Sequence, residues 1–268
     1  MCIRDRGKGQ VLESISIAPD FSNSGFIGFC ENYGPRICVD SGEAALFLGA
    51  CSEKILQLSP REIILTEDLL HKSKGLAAGI RKILAGSKIP LSVQDASLPP
   101  LKDAPEPAAA LSQIFSCKDA AVSLLGGAES LFTQEGLPTP LYTVYEFLSE
   151  LKEPQTAVYL SYVLAKGLNG MLIALFNPES HAALHVHLSV TRLPLHTAFI
   201  RRELSPGSSV FGVLENLGHL KQLPPLLEKR ICQNRLGQPR FFVPEKNTVD
   251  LVLYPNTVIL LEIPSVCH

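Results

Sequence analysis

The sequence lacks a dominant charge. Its 24 Lys and Arg stand against 26 Asp and Glu, a formal net charge of −2 at pH 7 over 268 residues. Binding of a polyanion over the whole surface is excluded, and only a local basic patch stays open. Long apolar runs are also missing: no window approaches the roughly 20 continuous apolar residues of a membrane span, and Met171 to Phe176 is strand-sized. The seven cysteines (2, 30, 38, 51, 117, 232 and 267) are scattered without a C-x-x-C pair, which removes the usual zinc spacing. They read as free, buried thiols in a reducing compartment rather than as a disulfide framework. Neither a G-x-x-x-x-G-K-[ST] loop, a strand-borne G-x-G-x-x-G nor a G-x-S-x-G elbow occurs, so no nucleotide or nucleophile motif is complete. No cofactor is implied, and there is no internal repeat.

What is present suits a folded protein. The chain is 46% hydrophobic and 19% charged, and its length allows one large domain or two smaller ones. Residues 1–20 read as unstructured or non-native. Met1-Cys2-Ile3-Arg4-Asp5-Arg6 is a poor start for a helix or strand, and no apolar run follows it as a secretory signal would need. The expectation is a cytoplasmic piece of a longer protein.

Residues 21–93 read as an α/β domain. Gly25–Cys30 and Arg36–Val39 form a hairpin across Asn32-Tyr33-Gly34-Pro35, and Asp40 caps a helix from Glu43 to about Gln57 that ends at Ser59-Pro60. Glu62–Leu65 is a short buried strand, Thr66 caps a second helix, and Ile89–Val93 is a strand placed at an edge by Pro90. Alternating strands and helices imply parallel pairing and an α/β layer architecture, and with the hairpin this makes a small mixed sheet with flanking helices. Residues 94–107, with Pro99, Pro100, Pro105 and Pro107, read as a linker or long loop.

Residues 108–268 read as helical and then α+β. Helices are expected over Ala108–Phe115, Lys118–Leu125, Leu141–Leu151, Gln155–Lys166 and Val210–Ile231, the last broken at Pro224-Pro225. Strands are expected over Gly170–Phe176, Ala183–Val190, Arg240–Val243 and Val249–Ile263.

Two histidines carry the strongest hint of chemistry. His185 and His187 flank Val186, and residues two apart on a strand face one side, as a metal pair or an acid/base pair requires. Against this, a solvated outer face with Leu184, Val186 and Leu188 in the core explains the same alternation. His187-Leu188-Ser189 also resembles the His-x-Ser/Thr motif of two-histidine phosphoesterases, which need two such motifs on facing strands. The other H-x-S, His71-Lys72-Ser73, falls in an expected helix. His185, His187 and Ser189 are therefore the candidate catalytic residues of an enzyme reading, as a metal site or a phosphoesterase.

Phe26 to Leu65 resembles the connector domain of MutS-type DNA mismatch repair proteins. The residues that carry it are the Gly28-Phe29-Cys30 to Ile37-Cys38-Val39-Asp40 hairpin, Ser41-Gly42-Glu43, and Leu58-Ser59-Pro60-Arg61-Glu62-Ile63-Ile64-Leu65. Leu141–Leu151 with Gln155 is similar to the helix leading towards that family's lever, and Gly207 to Leu214 echoes the lever's start. The resemblance implies an RNase H-like connector, a non-catalytic interaction module, with DNA and repair proteins as partners. A third reading is a scaffolding subunit whose hydrophobic Val249–Ile263 strands form an edge that pairs with another chain in an oligomer.

Overall fold

The computed structural model describes residues 2–3, 11–17, 34–72, 75–94, 106–116, 120–127, 129–149, 156–158, 162–167, 170–178, 181–191, 193–194, 196–217, 224–234 and 236–264. The strands in chain order are β1 (Cys2–Ile3), β2 (Val11–Ile17), β3 (Arg36–Val39), β4 (Glu62–Thr66), β5 (Leu91–Gln94), β6 (Ala121–Gly126), β7 (Ser130–Thr133), β8 (Thr156–Val158), β9 (Tyr162–Gly167), β10 (Gly170–Asn177), β11 (Leu184–Val190), β12 (Phe199–Leu204), β13 (Arg240–Phe242), β14 (Thr248–Leu253) and β15 (Thr257–Pro264). The α-helices are α1 (Gly42–Ala50), α2 (Ser52–Gln57), α3 (Glu67–Lys72), α4 (Leu76–Ile83), α5 (Pro107–Ser116), α6 (Pro140–Ser149), α7 (Val210–Asn216) and α8 (Pro225–Asn234). The chain is thus a mixed α/β protein with several sheets. It divides into two compact units: residues 1–29, 106–109 and 151–268, and residues 30–105 and 110–150.

The second of these units is built on a five-stranded sheet in the order β5-β4-β3-β6-β7, with every pairing parallel. The chain moves outward from β3 through β4 to β5, then returns to lay β6 on the far side of β3. Sheet order therefore reverses between β3 and β6, which makes their carboxyl ends a topological switch point. One face of the sheet is apolar through its centre: Ile37, Val39, Ile63, Leu65, Val122 and Leu124 are all 0% exposed. Rings on this unit lock helices to strands, with Phe47 of α1 4.8 Å from Phe132 of β7, and Phe132 4.7 Å from Tyr142 of α6.

Several local expectations change here. Both edges of β3 are taken by parallel neighbours, so Arg36–Val39 is not half of a hairpin; its expected partner, Gly25–Cys30, lies outside the described residues. Ser41, not Asp40, caps α1, its Oγ accepting from the Ala44 amide at 3.1 Å, and the Glu43–Gln57 helix is two helices meeting at Cys51. Thr66 ends β4 and directly precedes α3, but its hydroxyl makes no capping bond among the described residues. Lys118–Leu125 contains strand β6, because a short apolar run fits a buried strand as well as a helix and periodicity does not separate them. The same ambiguity turns Gln155–Lys166 into β8 and β9, drawn into a sheet by antiparallel pairing of β9 with β10.

The first unit is a β-sandwich. A four-stranded sheet, β1-β2-β11-β14, faces a six-stranded sheet, β13-β12-β15-β10-β9-β8, across one apolar core. Ile15, Val186, Leu188, Val190 and Leu251 fill it from one side, and Met171, Ile173, Phe199, Ile259 and Leu261 from the other. Two expectations are revised. Val11–Ile17, in the stretch read as unstructured, pairs along its length with β11. The Val249–Ile263 segment is not one free edge: β15 lies between β10 and β12, and β14 pairs with β11. Among the described residues no helix is long and apolar enough to cross a membrane.

Candidate functional site

The histidines of β11 do sit together. Val186, Leu188 and Val190 enter the sandwich core, while His185, His187 and Ser189 occupy the opposite, partly exposed face. Across the sheet His187 is level with Ser14 of β2 and Asp250 of β14. Its Nδ1 is 2.6 Å from Asp250 Oδ1, with the two side chains 45% and 83% exposed. An ion pair this open to water has little hold on structure. Among the described residues no group of three or more His, Cys, Asp or Glu is placed to hold a metal. His71 lies in α3, and Ser73 lies outside the described residues, so no second His-x-Ser motif faces the first.

The parallel sheet carries a different set. Alternation along its strands puts every second residue on the face opposite the apolar one. One lateral row there is Ser92–Ile64–Cys38–Ser123, fixed by the β5, β4, β3 and β6 registers. Towards the amino ends of the strands Arg36 lies beside Glu62, and towards the carboxyl ends Thr66 lies beside Gln94. Asp40 follows β3 at the same level, at the switch point.

Most of these groups hold one another. Arg36 Nε donates to Glu62 Oε2 at 2.9 Å, with the two side chains only 14% and 18% exposed. Burial works against the Glu62 charge, but hydrogen bonds from Ser92 and Arg36 and the positive charges of Arg36 and Arg61 outweigh it. They hold the carboxyl below its ordinary value. Ser123 Oγ donates to Asp40 Oδ2 at 3.3 Å, and Gln94 Nε2 reaches Ser92 Oγ at 3.5 Å. Cys38, between them, is pushed up to about 11 by burial and by the Asp40 charge, so it stays a thiol at neutral pH.

Thr66 is the exception. It is 6% exposed, and its Oγ1 has no hydrogen-bond partner among the described residues. A buried hydroxyl without a partner costs roughly 1–3 kcal/mol, and native proteins retain few of them. The carboxyl end of the sheet thus combines exposed carboxylates, Asp40 among them, with a side-chain amide, hydroxyls and a buried donor unsatisfied among the described residues. Sequence reasoning missed this set because Asp40 and Thr66 were read as helix caps and Ser123 as helical. The alternation Arg36/Cys38 and Glu62/Ile64/Thr66 held the signal, hidden by the apolar residues between.

No protein family and no curated protein matches the sequence. Solved structures do match in part. A GH39 beta-xylosidase from Caulobacter crescentus aligns with TM-score 0.48 and 15% identity over 86% of this chain and 57% of its own. A GH39 enzyme from Xanthomonas axonopodis pv. citri aligns with TM-score 0.45 and 15% identity over 86% and 60%. A GH51 alpha-L-arabinofuranosidase from Thermotoga petrophila aligns with TM-score 0.40 and 13% identity over 85% and 57%. This chain therefore spans little more than half the length of each. None of these three is a MutS-type protein, and the fold itself overturns that resemblance together with the DNA-repair and DNA-binding roles it implied. The fold gives the physical reason: the expected mixed connector sheet is all parallel among the described residues, and the expected lever region is a β-sandwich. Among the described residues the His185/His187 enzyme reading finds neither a metal set nor a facing motif, and the scaffolding reading loses the β15 half of its edge, which is paired on both sides, while β14 ends its sheet.

Proposed function

We propose that the parallel-sheet unit binds a neutral, hydroxyl-rich small molecule, of the saccharide class, at the carboxyl ends of β3, β4 and β6. The observation that carries the reading is the buried, unsatisfied Thr66 hydroxyl on the same face as Asp40, Gln94 and Ser123, beside a switch point of the sheet. Ligands of open α/β sheets bind at such points. A carboxylate accepts hydrogen bonds from sugar hydroxyls, the Gln94 amide both donates and accepts, and the Thr66 hydroxyl finds its missing partner in the ligand. The charges on this face favour a neutral ligand. Arg36 and Glu62 compensate each other, and Asp40 at the carboxyl end, with Glu67 and Asp68 following β4, disfavours phosphates and carboxylates.

The test is calorimetric titration of the protein with xylose, arabinose and glucose, with glucose 6-phosphate as the charged control. Saturable binding of at least one neutral sugar is expected, and Asp40→Asn should weaken it by about tenfold, the share of one charge-assisted hydrogen bond. Binding of glucose 6-phosphate in preference to the neutral sugars, or no loss on Asp40→Asn, would refute the reading.

A further inference from the structure

A second polar site lies in the sandwich unit, built where its core face runs out. On the inner face of the six-stranded sheet, Phe199 of β12 packs on Phe242 of β13 with ring centroids 5.8 Å apart. Two residues along on the same face, the cross-strand partners are Arg201 and Arg240. Side by side, two guanidinium groups repel each other, an arrangement that destabilises a strand pair unless a counter-charge is present. Glu203 supplies one, accepting from Arg201 Nη2 at 2.6 Å. That leaves two guanidinium charges against one carboxylate among the described residues around this spot. Arg201 Nε is buried and without a partner, and Arg240 makes no ion pair among the described residues.

These groups line a half-open cleft of about 410 Å³, a size suited to a small molecule. Its walls are the Ser205–Ser208 turn and the segment through Gln238. The turn is rigidly made: Ser208 Oγ accepts from the Ser205 amide at 2.9 Å and donates to the Ser205 carbonyl at 2.8 Å. The opposite wall depends on Gly237. Its φ is +72°, and a Cβ there would stand 2.4 Å from the Glu203 carbonyl oxygen, so only glycine lets this segment close on β12.

We infer that this cleft is an anion site, taking the carboxylate, sulfate or phosphate group of a small molecule between Arg201 and Arg240. The anion would supply the missing acceptor for Arg201 Nε and the second counter-charge for the arginine pair. An apolar core on one side lowers the local dielectric and strengthens that attraction. Arginine's planar fork of donors suits all three oxyanions. The site is separate from the saccharide face of the parallel sheet and needs no sugar to be observed.

The experiment follows the thermal unfolding midpoint of the full chain against sodium acetate, sulfate and phosphate, with ionic strength held constant by sodium chloride. The three salts separate the possible headgroups. At least one should raise the midpoint along a saturating curve. Arg240→Gln, at an exposed position where folding is not at risk, should weaken that binding about tenfold, while Glu203→Gln, which removes the competing carboxylate, should tighten it. A rise that does not saturate, or one equal in wild type and Arg240→Gln, is a general salt effect and overturns the assignment. So does the absence of any saturable response. Gly237→Ala, which displaces the cleft wall, should abolish binding even where the fold survives.

Discussion

Two sheets in this protein each keep one apolar face and turn a polar face away from it, yet they treat those polar faces in opposite ways. On the four-stranded sheet of the sandwich, His187 and Asp250 meet in the open, with solvent available to both. On the parallel sheet the polar groups are drawn in: Arg36 and Glu62 are largely buried, and Thr66 is buried with its hydroxyl unmet among the described residues. The lesson concerns cost. An exposed charged pair is nearly neutral in stability, so its presence says little about use. A buried polar group without a partner is a standing loss that folding alone does not repay, and a bound partner explains it. The motif that stood out in the sequence, H-x-H, belongs to the first kind, and the residues that looked like helix caps belong to the second.

The sharpest way to break this contrast is to cut each sheet on its two faces. Ile37→Ala, on the apolar face at 0% exposure, should cost about 3–4 kcal/mol by denaturant unfolding. His187→Ala should change stability by less than about 0.5 kcal/mol. A His187→Ala cost comparable to that of Ile37→Ala would erase the distinction. Next in size is Arg36→Met, which leaves Glu62 largely buried without its guanidinium and should cost about 2 kcal/mol at neutral pH.

The Arg36–Glu62 effect carries a pH sign. Glu62 titrates lower in the folded state than its unfolded value of about 4.3, so its contribution is present above that value and fades as pH falls through the folded one. The stability gap between wild type and Glu62→Gln should therefore shrink on acidification below about pH 4. A gap that stays constant would mean that Glu62 is not held in its charged form by Arg36 and Ser92. The smallest expected effect is kinetic. Asp40→Asn removes a negative charge beside Cys38 and should speed its alkylation at pH 8 to 9, where the thiolate fraction limits the rate. An unchanged rate would show that burial alone sets this thiol.

The sequence made the strands with clear two-residue alternation legible, as on Leu184–Val190, and the helix of Pro140–Ser149 with its apolar stripe. It also made visible Pro224-Pro225, where α8 begins, though α7 ends earlier, at Asn216. The strands buried on both faces were harder. Val258, Ile259, Leu260 and Leu261 are all 0% exposed, and their continuous apolar run shows neither which neighbours they pair with nor that β15 is interior to its sheet. Strand order depends on contacts remote in sequence. The pairing of β3 with β6, 85 residues apart at Arg36 and Ala121, is what brings Ser123 to Asp40 and creates the switch point. A local reading sees Asp40, Ser41 and Glu43 as a capping sequence and Thr66 before Glu67 as another. Only the sheet register shows that Thr66 and Asp40 share a face.

The most direct test of the central claim is Thr66→Val, which keeps shape and removes only the hydroxyl. If that hydroxyl is held unsatisfied for a ligand, the variant should unfold about 1 kcal/mol later than wild type in the absence of sugar and bind neutral saccharides several-fold more weakly. A variant that is destabilised, or one that binds as wild type does, would contradict the account.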